Sequence, residues 1–275
     1  MLEFIKNIQT LSSPFLDTAL TVFNFLSQQY FLIILVASIY WTYDKKKGEA
    51  LAFSIIFTTA FSCGLKGVFK MPRPFTFDGV KALNKSSAPG YSFPSADTAA
   101  ATATAVTVSG WTKNTVLKIL LALYVIIIGF ARMYFGLHFP ADVLGGLITG
   151  CVVAFGIKKI FSTFNAPVFT ALIATIILIP FMFFGQQPDY FKTFGLMLGA
   201  LCGVYTEHTF VNFDYKISRG KKAARFLIGI VGLILISVLT KKFFPQNNFF
   251  LVFEKFLLTF FAVGIYPAIF KKLKF

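Results

Sequence analysis

Apolar runs of about 20 residues recur along the whole chain, and no other feature constrains it as strongly. A helix of that length crosses the hydrocarbon core of a bilayer. The chain therefore reads as an all-α, polytopic transmembrane helical bundle. Composition agrees. Of 275 residues, 56% are hydrophobic and only 13% are charged, about half the charged share of a soluble domain. Mean hydropathy is +0.74.

Nine spans are expected, near residues 28–43, 49–69, 95–110, 114–135, 141–157, 166–184, 192–211, 223–239 and 249–270. Residues 1–27 read as an interfacial amphipathic segment, because Leu11 to Tyr43 is too short for two crossings with a turn. Residues 28–161 form a membrane core, and 162–275 add further C-terminal transmembrane helices. The opening stretch lacks the continuous apolar centre and cleavage site of a signal peptide.

The net charge of +15 invites a nucleic-acid reading, but the positions of the charges exclude it. Fifteen of the 26 basic residues, among them Lys45, Lys46, Lys47, Lys158, Lys159 and Arg219, fall in one alternate set of loops. Such loops face the cytoplasm. The N-terminus is then outside and the C-terminus inside, as an odd number of spans requires. Cys63, Cys151 and Cys202 each lie within an apolar run. They read as small buried residues, with neither a disulfide framework nor a metal site.

Charge counting also places three chemistry-bearing stretches on one side of the membrane, the outer one. They are KGVFKMPRPF (66–75), SFPSADT (92–98) and ARMYFGLHFPADVLGG (131–146). The span opening at Ser95 is poor in large apolar residues, so it is expected among other helices. Gly146 and Gly150 form a GxxxG suited to close helix contact.

Taken singly, Lys66 and Arg73 suit snorkelling to lipid headgroups, and Asp142 suits the first turn of a helix. Together with Arg132 and His138 they suggest an anion site. Arg and Lys supply charge and forked hydrogen bonds, and the helix start near Ser95 supplies free amides. The matching ligand is a phosphate. His138 is then a nucleophile passing through a phosphohistidine, and Asp142 fixes its tautomer. The cations neutralise the equatorial oxygens, so no metal and no cofactor is expected.

These residues resemble the type 2 phosphatidic acid phosphatases, or lipid phosphate phosphatases, a family related to glucose-6-phosphatase and the vanadium haloperoxidases. Its first motif, Lys, six residues, Arg-Pro, is matched by Lys66, Arg73 and Pro74. Its third, Ser-Arg, five residues, His, three residues, Asp, is matched by Arg132, His138 and Asp142, with Ala131 in place of the Ser. Its second, Pro-Ser-Gly-His, reads Pro94, Ser95, Ala96, Asp97. The resemblance implies that Lys66, Arg73, Arg132, Ser95 and the Ala96 amide bind phosphate. It makes His138 the nucleophile and Asp142 its partner. It also puts Asp97 where the family has the His that protonates the leaving oxygen.

Asp97 suits the first turn of a helix capped by Ser95. Beside a phosphate, an ionised Asp97 is a like-charge partner, at roughly 4 kcal/mol per unit charge for a separation of about 4 Å and an effective dielectric of about 20. General acid help typically contributes about 10²–10⁴-fold. A phosphatase with weakened turnover is therefore expected. Its substrate is expected to be an amphiphile such as a polyprenyl diphosphate, a phosphatidylglycerol phosphate or phosphatidic acid. A non-catalytic lipid-phosphate binder or transporter, or a phosphatase of soluble sugar phosphates, would use the same cations. Glu207 and His208 lie near the far end of the seventh span and are expected to serve helix–helix hydrogen bonding rather than the site.

Overall fold

A computed structural model describes residues 1–85, 88–164, 166–184, 187–245 and 247–274, and among these all regular structure is helical. Helices α1 (Leu2–Gln9) and α2 (Pro14–Phe25) precede α3 (Gln29–Ser38), which runs on as a π-helical turn to Tyr43. Then follow α4 (Lys45–Phe69), α5 (Ala96–Ser109), α6 (Thr115–Tyr134) and α7 (Pro140–Phe164). The C-terminal part holds α8 (Pro167–Leu178), α9 (Pro188–Thr206), α10 (Arg219–Phe243), α11 (Asn248–Phe260) and α12 (Tyr266–Lys272).

Local chemistry sets the helix starts. Asp44, Ser95, Asn114 and Asn247 each accept a backbone N–H of the first turn of α4, α5, α6 and α11, satisfying a donor that the helix itself cannot. Proline opens α2, α8 and α9, where its missing N–H costs nothing.

Among the described residues, five helices are long and apolar enough to cross a membrane: α4, α6, α7, α10 and the α11–α12 pair. Helices α2 and α3 pass the same test together, as a pair bent by 45°. The segment expected to lie at the interface therefore divides. Helix α1 is short, buries Ile5 and Ile8, and has Gln9 donating to Tyr134 O at 3.1 Å, and α2 runs along α6. There Tyr124 donates to Leu26 O at 2.9 Å, and Tyr134 donates to Asp17. Helix α5, at 14 residues, is too short and too polar for the group. Its Ala99, Ala101 and Ala103 are fully buried, as expected for a helix walled in by others. Outward faces of α6, α7 and α10 carry exposed Ile126, Ile148, Val152, Leu227 and Val231. Apolar stripes of this extent suit contact with lipid, and the molecule is a membrane protein.

Helix α4 is the axis of the fold and touches α5, α7, α8 and α9. The α5–α7 contact is set by the two glycines. A Cβ on Gly146 would lie 2.6 Å from Ser95 O, and one on Gly150 would lie 2.5 Å from Ala99 O. Only glycine lets α7 press so closely on the start of α5.

Candidate active site

The three stretches singled out in the sequence meet at one end of the bundle. The last turn of α4, the first turn of α5, the end of α6 and the start of α7 all converge there. Each charged side chain is held by a local arrangement readable from the chain.

Lys66 sits in the last turn of α4, buried, and donates to Tyr91 O at 2.9 Å and Ser92 O at 3.2 Å. The helix then stops at Lys70 in a left-handed conformation, φ 49°, and releases the chain toward Arg73. The Arg73 guanidinium spans two loops. It donates to Pro89 O at 2.8 Å, Gly90 O at 2.9 Å and Leu137 O at 2.9 Å. The turn between α6 and α7 depends on Gly136, whose φ of 68° favours glycine. Phe75 N–H donates to Gly136 O at 3.1 Å, tying this turn to the first stretch.

That turn delivers His138, which is buried. Its Nε2 lies 3.2 Å from Arg73 Nη1. A guanidinium can only donate, so Nε2 is the accepting nitrogen, and the proton sits on Nδ1. Nδ1 lies 3.5 Å from Asp142 Oδ2, which itself accepts the Phe139 N–H at 2.7 Å. Burial pushes the His138 imidazole well below its usual range, and the charges of Lys66, Arg73 and Arg132 push it further. The ring is therefore neutral, with its lone pair facing the cations.

Ser95 caps α5 and is fully buried, its Oγ 2.9 Å from Thr98 Oγ1. Its N–H donates to Asp142 O at 2.9 Å, which fixes the start of α5 to the start of α7. Helix geometry leaves the Ala96 and Asp97 amides without a carbonyl inside α5. Arg132 is 1% exposed, and its Nη1 lies 3.4 Å from Asn24 Oδ1 of α2. Its Nη2 is 2.9 Å from Asp97 Oδ2. Asp97 thus pairs with one of the cations expected to hold phosphate.

Lys66, Arg73, Ala96, Asp97, Arg132 and His138 line one cavity of about 280 Å³. Ser95 and Asp142 stand behind it. Two further charged residues, Asp189 and Lys192, reach the same cavity from the first turn of α9, paired at 2.9 Å. They and Asn24 lie outside every motif, and only their contacts reveal them. Glu207 and His208 are absent from this cavity's lining. Glu207 meets Lys45 Nζ at 2.7 Å, and His208 Nε2 meets Glu49 Oε1 at 2.7 Å.

Residues 48–166 match the PAP2 superfamily. The chain belongs to that superfamily. Residues 191–275 match the transmembrane extension found in PAP2 superfamily phosphatases. Among solved structures, LpxE of Aquifex aeolicus is similar at 33% identity with a TM-score of 0.53, covering 57% of this chain and 94% of that one. No curated protein matches. On this membership the protein is a membrane phosphatase of the PAP2 type, with the extension forming its C-terminal helices.

Proposed function

We propose that the protein hydrolyses a lipid phosphate or diphosphate by way of a phosphohistidine at His138, with turnover held down by Asp97. The observation that carries this is the geometry of His138: its Nε2 faces Arg73 and its Nδ1 turns to Asp142, inside a cavity shared with three cations. Likeness to LpxE supports the lipid phosphate class.

In this reading the phosphoryl oxygens lie among Lys66, Arg73, Arg132 and the Ala96 amide at the capped start of α5, where the partial positive charge favours an anion. His138 Nε2 forms a bond to phosphorus as the bond from phosphorus to the leaving oxygen breaks. Asp142 stabilises the positive charge that develops on the ring, as the acid of a triad does. Water then attacks the phosphohistidine, releasing orthophosphate and restoring the imidazole.

Asp97 is the unusual member. Its Oδ2 is engaged with Arg132 at 2.9 Å and is not free to serve the leaving oxygen. The same contact engages a guanidinium that a phosphoryl oxygen would otherwise share. Binding must loosen that pair or protonate the carboxyl, and both slow the reaction.

The site is assigned to the outer face of the membrane, with nine crossings, the N-terminus outside and the C-terminus in the cytoplasm. Lys- and Arg-rich loops at the end away from His138 support this orientation. Residues 28–161 form the catalytic core in this reading, and 162–275 the helices added to it. A lipid diphosphate or monophosphate offered to the purified protein should release orthophosphate, and His138→Ala should abolish the release. Tight binding with no release in either protein would favour the non-catalytic binder.

A further inference from the structure

The cavity does not end at the cations. From Lys66 and His138 it continues between α3, α4 and α9 toward the opposite end of the bundle and reaches Tyr40, Trp41 and Glu49. On α4 its wall is one helical face: Glu49, Ala52, Ile56, Thr59, Cys63 and Lys66 follow at intervals of three or four. The helix rises about 25 Å between Glu49 and Lys66. Lys192, Leu196, Ala200 and Val204 of α9 line the cavity as well, again along one face. Between the charged mouth and the floor, the walls are mainly aliphatic.

The floor is firm. Trp41 is fully buried and Tyr40 nearly so, and their polar atoms are tied up, Trp41 Nε1 donating to Ala262 O at 2.9 Å and Tyr40 Oη to Val263 O at 3.1 Å. Beside them Glu49 is 2% exposed, and its Oε2 has no hydrogen-bond partner among the described residues.

We propose that this channel takes one hydrocarbon chain of the phosphorylated substrate lengthwise, and that its floor sets the longest chain accepted. The proposal rests on the phosphatase reading for the phosphate end and adds the apolar half of the ligand. Polarity argues for an amphiphile, because cations crowd one end and aliphatic walls line the rest. Size argues for a single chain. About 280 Å³ lies just under the range of roughly 300–1,000 Å³ usual for small-molecule pockets, yet here it is drawn out along the bundle. That shape admits one chain in file and not several side by side. The chemistry of the floor argues for a limit, since a methyl end pushed against Glu49 would meet Oε2, a buried oxygen with no hydrogen-bond partner among the described residues, the other oxygen being held by His208. Matched residues 191–275 supply much of the wall, which gives the C-terminal helices a role in choosing substrate.

The test uses the full chain in nanodiscs and a series of n-alkyl phosphates from butyl to icosyl. Phosphate release and competition against a fluorescent alkyl phosphate are both read. Affinity should rise with chain length, by up to about fourfold per methylene, and then stop rising at a defined length. Two blocking variants sit at different depths, Thr59→Phe about 10 Å below Lys66 and Ala52→Phe about 21 Å below it. Thr59→Phe should move the limit to short chains, and Ala52→Phe should remove only the longest. No dependence on length in the unmodified protein, or a loss in the two variants that ignores depth, overturns the channel. If no ester is hydrolysed, the phosphatase reading falls, and the competition series still decides the channel by the same order of depth.

Discussion

Helix α4 carries a buried knot of charges at each end, and the two are built differently. At the α4 N-terminus, Lys45 and His208 meet Glu49 and Glu207, two bases for two acids. Lys45 Nζ lies 2.9 and 2.7 Å from the two Glu207 oxygens and 3.2 Å from Asn212 Oδ1. At the C-terminal end, Lys66, Arg73 and Arg132 face a cavity where Asp97 pairs with Arg132, Asp189 pairs with Lys192, and Asp142 is set behind His138. Much of the binding capacity of Lys66 and Arg73 goes to backbone carbonyls, which satisfy hydrogen bonds without cancelling charge. A balanced knot joins helices, here the start of α4 to the end of α9. An unbalanced one that opens into a cavity waits for an anion.

The widest break in the comparison comes from Asp97. Asp97→His removes the acid from the unbalanced knot and restores a proton donor, so turnover on a lipid diphosphate should rise about 10²–10⁴-fold. Equal rates for the two proteins would show that Asp97 does not limit the reaction.

Next comes a pair of lysine substitutions. Lys45→Met leaves the fully buried Glu207 without its cation, and removing one partner of a buried pair costs about 3–5 kcal/mol. Chemical denaturation should register that loss. Lys66→Met removes a cation from among cations and forfeits two hydrogen bonds to carbonyls, about 1–3 kcal/mol together, yet it should abolish anion binding. If Lys66→Met proves the more destabilising of the two, the contrast between the knots is wrong.

Orthophosphate should stabilise the unmodified protein by about 2.7 kcal/mol at a concentration 100 times its dissociation constant, and should leave Lys66→Met unmoved in a thermal melt.

The smallest expected effect is on pH. Because the folded His138 pKa lies below its unfolded value of about 6.5, the unfolded chain binds the proton first as pH falls. Its contribution to stability is fully present above about pH 6.5 and declines as pH drops below that value. A His138→Gln variant should lack this component, and bound orthophosphate should shrink it by favouring the protonated ring. A stability curve below pH 6.5 identical for the two proteins would overturn the assignment.

The sequence made much of the unbalanced knot legible and little of the balanced one, for a physical reason. Lys66 to Arg73 and Arg132 to Asp142 are short segments at helix ends, where spacing alone decides what faces what, and the structure brings these residues together. The partner of Asp97 was hidden because Arg132 belongs to a different helix. Lys45 and Glu207 are 162 residues apart, and no local periodicity joins them. Asn24, Asp189 and Lys192 escaped for the same reason. The kink between α2 and α3 was equally out of reach, since α2 reads as a weak surface helix until its contacts with Tyr124 and Tyr134 are seen.

Arg73 has one further consequence. Its guanidinium is clamped by three carbonyls from two loops before any ligand arrives, so the entropy of ordering that side chain is spent during folding and not at each encounter. A rigid donor of this kind is also intolerant of replacement. Lysine would keep the charge, but a single ammonium on a flexible stem cannot brace the loops as the planar fork does. The residue proposed to meet the anion is thus also a keystone of the wall around it.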